Sequence, residues 1–302
     1  NDGSIPTTSA TADVTISAAG ASGDWFGCAL VSGDFNADGR VDLAVGASDE
    51  WGGDVGHAYI FYNDGSIPTT TGAADVAITG EGADDYFGNA LQAGDWNADG
   101  KTDLAVGTYY YASYTGRVYL FYNDGSIPTT AATADVIISG DSGFGKSFAS
   151  GDFNADGKTD LAVGGYEYNF DQGRTYIFYG DGSIPTTAAT ADVIITGETS
   201  TNHGFGTTLT SGDFNADGKT DLIVGANALN GNTIGKAYIF YNDGSIPTTA
   251  ATADVIITGE ATSNYVGWSL MAGDFNADGK TDLAGGAHAY STNTGPVYLF
   301  YS

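Results

Sequence analysis

Apolar and polar positions recur along this chain with a period near 60 residues, and each period holds four short apolar bursts. In the first period Val14-Thr15-Ile16 alternates, as a half-buried strand does. Phe26 to Gly33 is rich in small residues, with Gly27, Ala29 and Gly33, which suits the crowded innermost strand of a tapering blade. Leu43-Ala44-Val45 is apolar throughout, the mark of a strand covered on both faces. Tyr59-Ile60-Phe61-Tyr62 is aromatic and β-branched, which favours a strand again. No segment sustains a 3.6-residue period. The pattern predicts an all-β chain, a single domain over residues 1–302, with four antiparallel strands in each of five units: a five-bladed β-propeller. The chain opens on the connector sequence and one Val14/Ile16-type strand and ends on a Tyr59-type strand, Tyr298 to Tyr301. The N-terminal strand is therefore expected to complete the last blade, closing the ring and removing its open edges. A linear solenoid would instead call for polar caps at both ends.

Between the small-residue segment and the apolar one, every unit carries Asp-x-Asn-x-Asp-Gly-x-x-Asp. The copies begin 61, 57, 61 and 61 residues apart. Side-chain oxygens stand at positions one, three, five and nine: Asp34, Asn36, Asp38 and Asp42; Asp95, Asn97, Asp99 and Asp103; Asp152, Asn154, Asp156 and Asp160; Asp213, Asn215, Asp217 and Asp221; Asp274, Asn276, Asp278 and Asp282. Ca²⁺ takes six to eight oxygens at about 2.3–2.6 Å, and alternate residues of a tight loop can point inward together. Position seven (Arg40, Lys101, Lys158, Lys219, Lys280) is expected to offer its backbone carbonyl and leave its side chain in water. Glycine at position six supplies the sharp turn. A plain turn would need only the Asn-Gly or Asp-Gly part, so five unvaried copies favour about five Ca²⁺ per chain. An EF-hand is excluded. Its twelfth position is a bidentate Glu, whereas here it is Val45, Val106, Val163, Val224 or Gly285, and strand follows the loop.

The formal net charge is −28, from 37 acidic and 9 basic residues, and fifteen of the acids are loop aspartates. Such a field argues against nucleic acid, whose recognition needs clustered Lys and Arg, and against anionic membrane surfaces. No apolar run approaches the roughly 18 residues of a membrane span, so no membrane insertion is expected. The single cysteine, Cys28, excludes an internal disulfide. Loops with one carboxylate fewer than a sensor site usually need about millimolar calcium, which points to an extracellular or cell-surface setting.

Phe26-Gly27, the Asp34–Asp42 loop and Ala44-Val45-Gly46-Ala47 resemble the FG-GAP repeat of integrin α-subunit propellers. Related repeats occur in secreted bacterial and fungal proteins, some of them lectins. The resemblance covers all five units. Phe-Gly recurs at Phe87, Phe144 and Phe205, but the fifth unit has Val266-Gly267. The Gly-Ala part becomes Gly107-Thr108 and Gly164-Gly165, and the fifth unit reads Ala284-Gly285-Gly286-Ala287. Integrin propellers have seven blades, against five units here. The resemblance implies a calcium-stabilised extracellular recognition domain with no catalysis of its own. It also places the calcium loops between the first and second strands of a blade, away from the main ligand surface.

Connections in an antiparallel blade alternate between the two faces of the ring. Calcium loops and Asn-Asp-Gly-Ser-Ile-Pro-Thr-Thr connectors fall on one face, and the connections that vary most between units fall on the other. The varied face carries Trp51, Tyr109, Tyr110, Tyr111, Tyr114, Tyr166, Tyr168, Phe170 and Tyr290. Aromatic rings beside Asp, Asn and Gly suit sugar stacking or a protein hot spot; the alternative is that they pack loops against neighbouring blades. His57, His203 and His288 map to the same face, so a three-histidine metal site is an option. Cys28 has no dedicated base beside it in the sequence, and no motif favours a carboxylate pair for glycoside hydrolysis. The reading is a binding module, not an enzyme. Its partner is carbohydrate or glycoconjugate, met on the varied face or between blades. The alternative is protein–protein adhesion at the cell surface, or a structural building block that self-assembles.

Overall fold

The computed structural model describes residues 8–18, 25–48, 53, 55–111, 115–198, 204–227, 233–261, 264–289 and 295–302. It is all-β, in five antiparallel sheets. The first holds β1 (Phe26–Gly33), β2 (Asp42–Ala47), β3 (Val55–Phe61) and β4 (Val76–Ala83), paired in chain order. The second holds β5 (Ala90–Gly94), β6 (Asp103–Thr108), β7 (Gly116–Phe121) and β8 (Val136–Gly140). The third holds β9 (Phe144–Gly151), β10 (Asp160–Gly165), β11 (Arg174–Phe178) and β12 (Val193–Thr196), and the fourth β13 (Phe205–Gly212), β14 (Asp221–Ala226), β15 (Lys236–Phe240) and β16 (Val255–Thr258). The fifth has three strands, β17 (Asn264–Gly273), β18 (Asp282–Ala289) and β19 (Val297–Phe300). Each sheet takes three strands from one repeat unit, and the first four sheets take their fourth from the next unit, in the meander order of a propeller blade. Among the described residues no helix is long and apolar enough to cross a membrane.

The second strands read as covered on both faces, and they are: every residue of β6, β10 and β14 is buried. The core lies between blades. Four apolar clusters form, one at each junction of consecutive sheets. The first joins Ala58, Ile60 and Ile78 of one blade to Phe87, Leu91 and Phe121 of the next. Close backbone approach sets the spacing. A Cβ on Gly46 would fall 2.0 Å from the carbonyl oxygen of Gly88, and one on Gly164 2.0 Å from that of Gly206. Gly107 and Gly225 stand in the same relation to Gly145 and Gly267, so only glycine fits these points.

Among the described residues no N-terminal strand pairs with β19, so the closed ring that the repeat count predicts is not seen. Nineteen strands form among the described residues, and β19 has three-stranded company only. Ser17 is bound to the connector of the first blade: its N–H donates to the Thr69 carbonyl (2.9 Å), and Thr71 N–H donates to the Ser17 carbonyl (3.1 Å). The same tie fixes β4, β8 and β12 to the next blade's connector, from Thr79 to Thr129, Ser139 to Thr186 and Thr196 to Thr248 (3.0 Å each). Among the described residues the free side of β1 is uncovered. Leu30 is 64% exposed, whereas its equivalents Leu91, Phe148 and Leu209 are at most 9% exposed.

Candidate metal loops and ligand face

Each acidic loop follows the first strand of its blade and leads into the second, as the resemblance implied. Two residues per loop adopt left-handed backbone. The glycine at position six does so as expected, for example Gly157 at φ 85°. The alanine at position four does so too, at φ 58–61° in all five copies (Ala37, Ala98, Ala155, Ala216, Ala277). Nothing in the repeat marks that alanine as strained, since left-handed conformation ordinarily selects Gly, Asn or Asp.

Loop side chains turn inward onto the backbone. Asp34 Oδ1 and Asn36 Oδ1 both accept the N–H of Asp38 at 3.0 Å. Asp34 Oδ2 accepts from Gly39 N–H and Asp38 Oδ1 from Arg40 N–H, each at 2.9 Å. The other four loops repeat this arrangement, as at Asp152, Asn154 and Asp156. The ninth residue does something different. Asp160 is fully buried; its Oδ2 accepts Phe153 N–H (2.7 Å) within the loop, and its Oδ1 accepts Gly180 N–H (2.9 Å) from the connector after the third strand. Asp42, Asp103, Asp221 and Asp282 make the same two bonds. It is a staple between loop and connector. Burial pushes the carboxyls of Asp103 and Asp160 up to about 6, against the pull of two backbone N–H donors, with neighbouring loop carboxylates adding to the rise. Asp221 shifts the same way for the same reasons.

The position-seven side chains are not simply in water. Arg40, Lys101 and Lys280 donate to the connector carbonyls of Asn63, Asn123 and Ser302 at 2.9–3.2 Å. Connector asparagines reach back across the array: Asn123 Nδ2 donates to the Asp34 carbonyl and Asn242 Nδ2 to that of Asp152. Among the described residues no three of His, Cys, Asp and Glu gather into one metal cluster. Positions one and three converge on the position-five amide and position five turns to that of position seven, an all-oxygen set that suits a hard cation.

On the opposite face the tyrosines form a connected wall. Tyr109 packs on Tyr86 (ring centroids 5.3 Å apart), Tyr110 (6.3 Å) and Tyr166 (6.1 Å), and Tyr110 packs on Tyr86 (5.2 Å). Cations cover three rings: Lys146 lies 4.1 Å over Tyr109, Arg117 3.6 Å over Tyr111, and Arg174 3.4 Å over Tyr168. Such contacts contribute roughly 0.5–2 kcal/mol each. Arg117 and Arg174 also pair with Glu81 and Asp141. Tyr166 donates to Glu167 at 2.6 Å, and burial followed by that carboxylate raises its phenol. These rings are half-buried packing elements as much as free surface. Phe170, 82% exposed, is the open one. Trp51, Tyr114, Tyr290 and His203 lie outside the described residues. His57 stacks on Tyr59 and His288 on Trp268, each within its own blade.

A cleft of about 370 Å³ opens beside the wall, lined by Lys146, Tyr166, Thr207, Thr208, Asn227 and Trp268. Lys146, Thr207 and Trp268 each follow the glycine of the inner strand in three successive blades. That position is also Cys28 and Asn89 in the first two units, so it varies in every copy. The variation was a signal that this column, and not only the loops, builds a surface. Trp268 presents an exposed ring, and Asn227, 1% exposed, accepts from Thr207 at 3.3 Å.

Comparison with known families agrees with this architecture. A family profile described as FG-GAP-like repeat matches residues 95–163 and 152–224, and one described as FG-GAP repeat matches residues 266–300. The chain is similar to phosphatidylinositol-glycan-specific phospholipase D of Bos taurus, 31% identical over 235 residues, which are 70% of this chain and 28% of that protein. It is similar to integrin alpha-7 of Homo sapiens, 36% identical over 160 residues, 50% of this chain and 13% of the integrin. Integrin alpha-IIb of Mus musculus is 33% identical over 165 residues, 49% of this chain and 16% of the integrin. The match thus spans less than a third of the length of each relative.

Proposed function

We propose, for a chain built of integrin-like FG-GAP repeats, an extracellular or cell-surface binding function of the adhesion type, with carbohydrate or glycoconjugate as the ligand class. The observation that supports the ligand class is the cleft of Lys146, Tyr166, Thr207, Asn227 and Trp268. An exposed indole offers a flat apolar face to a sugar ring, and hydroxyl, amide and ammonium groups around it can bond sugar hydroxyls. Calcium belongs to the opposite face. Ca²⁺ would be held by the side chains at loop positions one, three, five and nine and the carbonyl at seven, where it neutralises clustered carboxylates and stabilises the fold that shapes the cleft.

The test is a glycan array run in millimolar calcium and again in EGTA, with Trp268→Ala as the site variant. The expected result is a discrete set of glycans bound in calcium, lost in EGTA and lost in the variant. A blank array from folded, calcium-loaded protein would overturn the carbohydrate reading. The adhesion reading would then rest on a protein partner, which the likeness to integrin alpha chains favours.

A further inference from the structure

We propose that the recess between the fourth and fifth blades binds a small organic cation, an alkylguanidinium or alkylammonium ion. It takes the place that a basic side chain of this protein fills at the three preceding junctions.

The argument follows one position through the repeats. Each of the first four sheets carries an acid two residues beyond the last Thr or Ser of its fourth strand: Glu81, Asp141, Glu198 and Glu260. The third strand of the next blade offers, just after a glycine, Arg117, Arg174, Lys236 and Pro296 in turn. At the first three junctions an ion pair forms. Arg117 lies 2.7 Å from Glu81, Arg174 3.4 Å from Asp141 and Lys236 2.7 Å from Glu198. The tyrosine two residues further on shares the acid. Tyr119 hydroxyl donates to Glu81 (3.1 Å), Tyr176 hydroxyl to Asp141 (2.7 Å), and Tyr238 bonds Glu198. Each of these places therefore holds a carboxylate, a phenol and a cation from the chain itself.

The fourth junction keeps the acid and the phenol and loses the cation. Glu260 and Tyr298 line a half-open recess of about 160 Å³, walled by Ile257, Gly259, Val266 and Phe300. Pro296 has no side-chain donor to offer. Nor does the rest of the unit supply one: the basic side chains of residues 261–302 are Lys280 and His288. Lys280 donates to the Ser302 carbonyl at 3.2 Å, and His288 stacks on Trp268 at 5.2 Å.

A second substitution at the same junction makes room. Phe87, Phe144 and Phe205 pack on Tyr119, Tyr176 and Tyr238 with ring centroids 5.2–5.4 Å apart. They press on the preceding blade so closely that a Cβ on Gly80, Gly140 or Gly197 would fall 2.2–2.8 Å from them. Val266 stands in their place. Proline thus removes the charge and valine removes the ring. Both residues lie inside the fifth unit, so a strand laid beside β19 alters neither.

The lining selects the ligand. A carboxylate forms short charge-assisted bonds with ammonium or guanidinium N–H groups, and a guanidinium can engage both of its oxygens. The alkyl part lies along Ile257, Val266 and Phe300, as the stem of a lysine or arginine lies along apolar surface. The net charge of −28 draws cations toward the protein and repels anions. This recess shares no lining residue with the cleft of Lys146 and Trp268, so the two sites stand or fall separately.

Titration calorimetry in millimolar calcium and physiological salt tests this, with butylguanidinium as the probe and butylurea, its neutral isostere, as the control. One butylguanidinium is expected to bind per chain, and butylurea is expected not to bind. Glu260→Gln should weaken binding at least about tenfold through loss of the charge-assisted bond. Pro296→Arg should abolish it, because the chain's own guanidinium then pairs with Glu260 as Arg117 does with Glu81. Both positions are exposed, so neither variant puts folding at risk. No saturable binding by the wild-type protein would overturn the proposal. So would binding that survives both variants unchanged, the mark of general attraction to an acidic surface. A Gly-Arg-Gly peptide blocked at both ends is titrated alongside. Binding of that peptide with none of butylguanidinium would also overturn the proposal, because the recess would then take an arginine side chain of a partner and not a free ion.

Discussion

Removing one ninth-position aspartate separates its staple role from any metal role. In Asp160→Ala two buried backbone donors, Phe153 N–H and Gly180 N–H, lose their acceptor. A buried donor left unpaired costs about 1–3 kcal/mol, which gives about 2–6 kcal/mol for the pair. The lower half of that range is expected, because a carboxyl pushed up to about 6 by burial is itself costly to keep charged, and alanine removes that cost. For a chain of this size each kcal/mol corresponds to about 2 °C in Tm, so a fall of roughly 4–8 °C follows. Asp156→Ala is the matched control. Its oxygen caps Lys158 N–H in an exposed turn that water can serve, so it should cost less than about 1 kcal/mol. Both variants are melted in EGTA by calorimetry, where calcium plays no part. If Asp160→Ala then falls no further than Asp156→Ala, the staple reasoning is wrong.

Other outcomes follow from the same geometry. Chelation of the wild-type protein is expected to lower Tm by well over ten degrees, because five sets of three carboxylates are left to repel one another at about 1 kcal/mol per close pair; an unchanged melt, with metal shown to be removed, would sink the structural-calcium proposal. Val266→Phe should raise stability by about 1–2 kcal/mol, because a half-open recess of about 160 Å³ lies between Gly259 of the fourth blade and Val266 and Tyr298 of the fifth, where Phe144 and Phe205 pack on Tyr176 and Tyr238 at 5.2 and 5.3 Å in their own blades. A lowered Tm there would show that the blade has closed over the smaller side chain. Ala155→Gly should stabilise by about 0.5–1 kcal/mol by relieving left-handed backbone, while Gly157→Ala, at φ 85° in open space, should destabilise by a similar amount. Denaturant midpoints for the pair would refute the strain argument if their signs were reversed.

The strands were legible because their signals are local. Asp160-Leu161-Ala162-Val163 reads as a strand covered on both faces, and β10 is buried along its whole length. The alternation of Val76 and Ile78 appears as a buried-intermediate alternation in β4. The loops were legible as acidic turns, but not the division of labour inside them, because the ninth Asp works through a connector about 20 residues away. Closure is not legible in the sequence for a related reason. Counting strands assigns the N-terminal segment a partner by elimination, whereas the angle between blades is set by glycine–carbonyl contacts some 40 residues apart in sequence, which no local pattern encodes. Tyr109, Tyr110 and Tyr166 pack together, and the cations over Tyr109, Tyr111 and Tyr168 (Lys146, Arg117 and Arg174) come from neighbouring strands, which no local pattern shows.

The staple also bears on the order in which the chain can become structured during synthesis. Asp42 waits for Asn63, Asp103 for Asn123, Asp160 for Gly180 and Asp221 for Asn242, so a loop is locked only once its own third strand has emerged. The core of a blade then waits for the inner strand of its successor, since each apolar cluster straddles a junction. A nascent chain would thus consolidate one unit behind the ribosome exit, each blade finished by the next. Every junction is the same junction, so a unit of about 60 residues can be gained or lost by duplication or deletion without any new contact having to be invented.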